Sequence, residues 1–315
     1  MLKKFTEFFN IEIWKIEIAN LPRMKRILTY VGRLLYFIFH GFKNDRCGRQ
    51  AASLTLATFF AFIPALALVL SVTKELAFDA DIIAWTRTQA SVYPESIQSL
   101  IENLITLVTE TNFLALGIIG IVFLFGTVFK LIRLIESFFN EIWMVKEERS
   151  MLSRYLHYFF VMTLLPLTML ALIFINMIFS SRYLLAAIEL ATDDKIYIHR
   201  LISLASVVMM ILLFAFLYFF LPNTKVNKRS ALTAATLVGV MFVILQKLIL
   251  NFLFFISERN SIYGAFAFFP VLIYTINVGW LLVLAGAQIC RADQNLELLS
   301  KGQLETISKG NESSK

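Results

Sequence analysis

Six long apolar stretches, 51–72, 111–129, 155–181, 201–224, 230–257 and 260–290, alternate with polar connections along this chain. All lack formal charge except 230–257, which carries Lys247 and, beyond its end, Glu258 and Arg259. About 20 apolar residues, each rising about 1.5 Å, cross a hydrocarbon core of roughly 30 Å, so each stretch predicts a membrane-spanning helix. Upstream, Leu2, Phe5, Phe9, Ile13 and Ile16 recur every three or four residues among Lys3, Glu7, Asn10 and Lys15. This pattern predicts an amphipathic helix too polar to span. After Pro22, Ile27, Val31, Leu34 and Ile38 set against Arg23, Lys25, Arg26 and Arg33 predict a second such helix, lying on the inner leaflet. In the connection after the first stretch, Ile97, Leu100, Ile101, Leu104 and Val108 form a helical stripe that starts just beyond Pro94. It predicts a small helical cap on the outer face. The polar tail beyond Arg291 is too poor in apolar residues to order itself and is expected to fray.

The fold class that follows is all-α, a polytopic bundle of six transmembrane helices. Interfacial helices occupy 1–43, the transmembrane domain 44–291 (spans at about 51–73, 111–136, 155–181, 200–222, 230–257 and 261–290) and a flexible cytoplasmic tail 292–315. Charge supplies the orientation. Of 29 Lys and Arg residues, 22 fall before the first span, after the second, after the fourth and after the last, whereas the other connections carry six. Connections rich in Lys and Arg stay on the cytoplasmic side, so both termini are expected inside. The connection 73–110, with six acids against two bases, is expected outside.

Composition narrows the function classes. A hydrophobic share of 58% with 16% charge stands apart from soluble chains, at about 45–50% and about 25%. The net charge of +7 is accounted for by orientation and contact with anionic headgroups, and nucleic acid is not expected as a partner. Cys47 and Cys290 are the two cysteines, both on the expected reducing side, so neither a disulfide framework nor a cysteine metal cluster is expected. Glu7, Asn10, Glu12 and Lys15 break the N-terminal apolar pattern, and no cleavable signal peptide is expected.

Candidate chemistry is sparse. Lys130, Arg133 and Glu136 follow the second span at three-residue spacing and lead to Asn140, Glu141 and Trp143. They read either as a helix protruding into the cytoplasm, with Arg133 able to pair with Glu136 and Lys130 snorkelling, or as a polar inner gate or headgroup-binding face. Lys247, beside Gln246, lies about 27 Å along its helix from Arg229. A cation there costs about 2.5 kcal/mol or more unless it faces a polar interior, so it is expected to point into the bundle, with snorkelling or an ion pair as the other reading. Pro64 and Pro166 are expected to kink the first and third spans, and Gly286-Ala287 to allow close helix packing. His40, His157 and His199 are scattered. No metal-ligand spacing, phosphate loop or nucleophile elbow occurs. No catalytic residue, metal or cofactor is expected, and the chain is not expected to be an enzyme.

Four stretches together resemble the YihY/BrkB family of bacterial inner-membrane proteins. They are Asn44-Asp45 through Gln50-Ala51-Ala52-Ser53-Leu54 to Pro64; Phe139-Asn140-Glu141-Ile142-Trp143; Leu221-Pro222-Asn223-Thr224-Lys225-Val226 with Arg229 and Ala231; and Tyr263-Gly264-Ala265 through Tyr274 and Trp280 to Gly286-Ala287. The resemblance implies six spans in the bacterial inner membrane with both termini cytoplasmic. It also draws attention to Gln288, where many members carry Glu; an amide cannot ionise, which argues against a proton-coupled role at that position. No settled activity comes with the family. The label ribonuclease BN that members once carried finds no supporting acids or histidines in this sequence. The leading expectation is a transporter or translocase of a small or amphiphilic, lipid-like substrate, with Asp45, Lys130, Arg133, Glu136, Asn140, Lys247 and Gln288 as candidate substrate or gate residues. The alternative is a non-catalytic envelope scaffold. Membrane lipids are the expected partners, with a second copy of the chain or an envelope protein as further ones.

Overall fold

The computed structural model describes Trp14 and residues 22–75, 79–91, 95–110, 117–145, 149–150, 152–156, 158–161, 163, 195–259 and 261–312. Among these the secondary structure is helical, without strands. The helices are α1 (Arg23–Asn44), α2 (Cys47–Glu75), α3 (Asp79–Ala90), α4 (Glu95–Glu110), α5 (Gly117–Ile142), α6 (Lys195–Phe220), α7 (Lys228–Arg259) and α8 (Ser261–Glu312). Further helical residues lie between 152 and 163. The first expected amphipathic helix, apart from Trp14, and Pro166 in the third span lie outside the described residues.

Among the described residues, two stretches, Lys228–Leu253 and Phe269–Leu296, are helical, long and apolar enough to cross a membrane. The way they pack fits a lipid solvent. On α7 the buried positions are Ser230, Ala231, Ala234, Ala235, Val238 and Gly239, whereas Leu232, Leu237, Val240, Met241, Ile244, Leu248 and Phe252 face outward. In water the large apolar residues would be inside. In a bilayer lipid is as apolar as leucine, and small residues take the helix contacts because they let backbones approach. Ala287 of α8 is likewise buried, and a Cβ on Gly286 would collide with the Tyr218 hydroxyl and Val238. The small-residue contact expected at Gly286-Ala287 is therefore formed, against α6 and α7.

One core joins the helix ends and middles: Cys47, Ala51 and Leu54 of α2; Ile135, Phe139 and Ile142 of α5; Tyr218 of α6; and Leu284, Ala287 and Cys290 of α8. Polar side chains bridge α2 and α8 within it. Asn277 Nδ2 donates to Thr55 Oγ1 at 3.2 Å and Trp280 Nε1 to Thr58 Oγ1 at 2.9 Å. The Tyr218 hydroxyl donates to the Val283 carbonyl at 3.1 Å. Such bonds give these polar side chains partners away from lipid.

α2 continues as a helix through Pro64. One expectation changes here. The tail is not frayed where it leaves the last span: α8 runs on to Glu312, with a non-helical turn at Asn295 (φ −112°, ψ 17°). Ala292, Leu296 and Ser300 are buried, because the extension has a partner that composition alone does not reveal. Asp293 accepts a hydrogen bond from the Tyr30 hydroxyl of α1, and Gln294 bonds both the Lys225 carbonyl (2.9 Å) and the Asn227 amide (2.7 Å).

The expected helix after Pro22 is α1, and that after Pro94 is α4. α3 precedes α4, and Arg87 binds Glu102 across them with a bidentate pair at 2.5 and 3.0 Å. α1 turns Tyr30 and Arg33 inward, while Met24, Ile27, Leu28, Val31, Leu35 and Phe39 form an exposed apolar stripe. Burial pulls the Arg33 guanidinium down from its usual range; it donates to the Trp14 carbonyl at 3.3 Å and lies over the Trp14 ring.

Candidate functional site

The joint between α1 and α2 brings Asp45 against α8. Gln288 Nε2 donates to Asp45 Oδ2 at 2.6 Å, and Arg291 lies 3.8 Å from the same oxygen. Two of the expected residues, Asp45 and Gln288, thus meet across 243 positions of sequence. They border a pocket of about 160 Å³ whose walls are Phe37, His40, Gly41 and Asn44 of α1, Met144 after α5, and Arg291, Ala292 and Leu299 of α8. The Asp45 and Arg291 side chains are only 14% and 12% exposed, so a carboxylate and a guanidinium stand together, largely withdrawn from water, at one end of the bundle. Gly41 lies close under this contact: a Cβ there would push the Gln288 amide oxygen aside.

The backbone around the pocket is special. Arg46, the residue after Asp45, and Met144, in the pocket wall, have positive φ of 53° and 52°. Among the described non-glycine residues these are the two with that conformation, which costs on the order of 1 kcal/mol for an L side chain. Met144 occupies it to end α5. Its amide donates to the Glu141 carbonyl at 3.0 Å and the Val145 amide to the Asn140 carbonyl at 2.9 Å, the paired bonds of a Schellman cap in which glycine is usual. Methionine in that place sets its sulfur 3.1 Å from Arg291 Nη2.

A second polar cluster braces the same end. Glu136 is buried and pairs with Arg149 at 3.2 Å. Arg149 Nε donates to Asn223 Oδ1 (3.1 Å) and its Nη2 to the Pro222 carbonyl (3.2 Å), while the Asn223 amide donates to Asn140 Oδ1 at 2.8 Å. Glu136 and Asn140 are therefore tied, through Arg149, to the loop between α6 and α7. Gln50 of α2 reaches the same helix end, donating to Glu141 Oε2 at 2.9 Å.

The remaining expected residues stand apart. Lys130 and Arg133 are exposed, and the ion-pair partner of Glu136 is Arg149 rather than Arg133: three-residue spacing allows a pair, but Glu136 turns inward while Arg133 stays outside. Lys247 does not point into the bundle. It is exposed on the apolar outward face of α7, next to the exposed Ile244 and Leu248. An outward position is compatible with the other reading, snorkelling of the ammonium toward the headgroups.

Sequence reasoning missed Arg149 and Arg291. Arg149 ends the charged run Lys146-Glu147-Glu148, and Arg291 looks like the first basic residue past a span; neither belongs to a periodic pattern. For Arg149 the signal was available in its target, the Pro222-Asn223 turn. Among the described residues no group of three or more His, Cys, Asp or Glu could hold a metal ion.

The profile of the family described as virulence factor BrkB matches residues 38–304. Relatives carry the name UPF0761 membrane protein. That of Janthinobacterium sp. is 27% identical over 285 residues, covering 88% of this chain and 63% of the relative. That of Acinetobacter baylyi is 30% identical over 82% of this chain and 62% of the relative, and that of Pseudomonas aeruginosa 29% over 80% and 60%. This chain thus spans somewhat under two thirds of the length of these relatives. No solved structure matches it. The matched region starts in α1 and ends in the extension of α8, enclosing Asp45, Gln288, Arg291 and both polar clusters, and the chain belongs to the YihY/BrkB family of membrane proteins.

Proposed function

We propose that this protein is a transporter or translocase of a small or amphiphilic substrate. In this reading it is a six-span protein of the bacterial inner membrane with both termini in the cytoplasm, and the pocket at Asp45, Gln288 and Arg291 is its inner gate. The supporting observation is that pocket: opposite charges held 3.8 Å apart and largely out of water at the end of the bundle that carries the basic connections. Buried ionisable groups in a membrane protein are costly and mark substrate or ion pathways. The Glu136–Arg149–Asn223 cluster ties the moving parts of such a gate, the ends of α5, α6 and α7, to one another.

The test is reconstitution into liposomes with a headgroup-labelled lipid, followed by quenching of the outer leaflet. Wild-type protein is expected to move label between leaflets and Asp45→Asn to slow it several-fold at equal protein content. Absence of movement of labelled lipid or of an entrapped small solute, with a stably copurifying envelope protein, would support the scaffold reading instead. The Arg87–Glu102 pair, which gives the α3–α4 hairpin a defined surface, is the feature that favours that second reading. Reporter fusions after residues 91 and 224 test the topology: the first is expected on the periplasmic side and the second in the cytoplasm.

A further inference from the structure

The Arg291 guanidinium is unusually bound for a group so far withdrawn from water. Its side chain is 12% exposed, its carboxylate neighbour is at 3.8 Å, and the acceptor within hydrogen-bond reach is the Met144 thioether at 3.1 Å. A guanidinium carries five N–H donors and a thioether is a weak acceptor, so donors remain for an anion. Asp45 is complementary. One of its oxygens takes the Gln288 amide at 2.6 Å, and a carboxylate has further lone pairs to offer. The space they border, about 160 Å³, equals roughly five waters at about 30 Å³ each.

We infer that the pocket binds a zwitterionic phosphate ester bearing a primary ammonium, its phosphate on Arg291 and its ammonium on Asp45. The inference rests on the translocase reading and names the substrate class for its gate. Phosphate takes the guanidinium donors in charge-assisted bonds that sulfur cannot match. An ammonium donates three hydrogen bonds, which a carboxylate accepts; a trimethylated cation has none to give. A headgroup with phosphate alone would meet the uncompensated Asp45 carboxylate. The ligand is thus an ethanolamine-type phospholipid headgroup or its free phosphate ester. The exposed apolar stripe of α1, whose other face lines the pocket, sets the opening at the lipid surface.

Native mass spectrometry of the full chain in nanodiscs of equal parts phosphatidylethanolamine, phosphatidylcholine and phosphatidylglycerol tests this. Wild type should retain phosphatidylethanolamine about tenfold over the other two, the effect of one charge-assisted bond. Arg291→Gln should lower retention to background, and Asp45→Asn should erase the preference for ethanolamine over glycerol headgroups. Asn44 is exposed at the pocket wall, so Asn44→Trp is a second variant that fills the space without touching the buried contacts; it should lower retention about as far. Equal retention of phosphatidylglycerol by wild type, or wild-type retention by Asn44→Trp, overturns the site. Displacement of the lipid by millimolar soluble phosphoethanolamine identifies the headgroup alone as ligand, and retention against it identifies the lipid. Binding is read without turnover: a retained lipid that is never moved across the bilayer leaves this site standing and removes the translocase reading, and movement without headgroup preference does the reverse.

Discussion

Gln288 illustrates how one amide sets the state of a buried pair. As the donor to Asp45 at 2.6 Å it gives the carboxylate a neutral partner. Gln288→Glu puts a second carboxyl at that distance, where like charges repel, and is expected to cost about 2 kcal/mol at neutral pH, read by thermal unfolding in detergent. Tyr30 gives a pH signature, at alkaline values. Burial, the hydrogen bond to Asp293 and the charge of that carboxylate push its hydroxyl up to about 12 from 10. A folded value above the unfolded one means that the stabilisation is complete below pH 10 and lost as pH rises through about 12. Tyr30→Phe is expected to remove this alkaline dependence, and to loosen α1 at neutral pH, as measured by the rate of proteolysis within Arg23–Asn44.

At the scale of elements, helix ends and helix contacts carry the information. The Schellman cap of α5 holds Met144 at positive φ, so Met144→Gly is expected to stabilise this end by about 1 kcal/mol while removing the sulfur beside Arg291. A higher unfolding temperature without loss of headgroup retention is the expected outcome, since phosphate replaces the sulfur on Arg291. Gly286 works oppositely. Its Cβ would collide with Tyr218 and Val238, and Gly286→Ala is expected to cost about 1–3 kcal/mol, measured as a lower unfolding temperature with unchanged helix content. The elements themselves were largely legible beforehand. Pro22 and Pro94 precede helices that begin at Arg23 and Glu95, because proline suits a helix start, where its missing N–H costs no intrahelical bond. The tail was misread because composition measures whether a segment can bury itself. It does not measure whether Tyr30, Lys225 and Asn227 stand ready to receive it.

For the whole molecule, burial is inverted relative to a protein in water: alanine inside α7, leucine and phenylalanine outside. The apolar stripe of α1 extends this surface beyond the spanning helices, rimmed by Arg23, Lys25, Arg26 and Lys43. Leu28→Glu combined with Leu35→Glu is expected to detach α1 from the bilayer and expose it to protease in nanodiscs rich in anionic lipid, where the wild-type helix is protected; equal cleavage rates would count against a membrane-lying α1. Hydrophobic periodicity alone determined that this chain is helical and built for a membrane, since spanning length and apolar content depend on consecutive residues. The resemblance carried by the short motifs at 44–54 and 263–287, not periodicity, pointed to Asp45 and Gln288 as separate positions of interest. Only the tertiary structure decided that they touch, that Arg291 and Arg149 complete the two polar clusters, and that Lys247 faces outward. A charged side chain takes its direction from what packs against its helix, and those neighbours lie tens to hundreds of residues away in the chain.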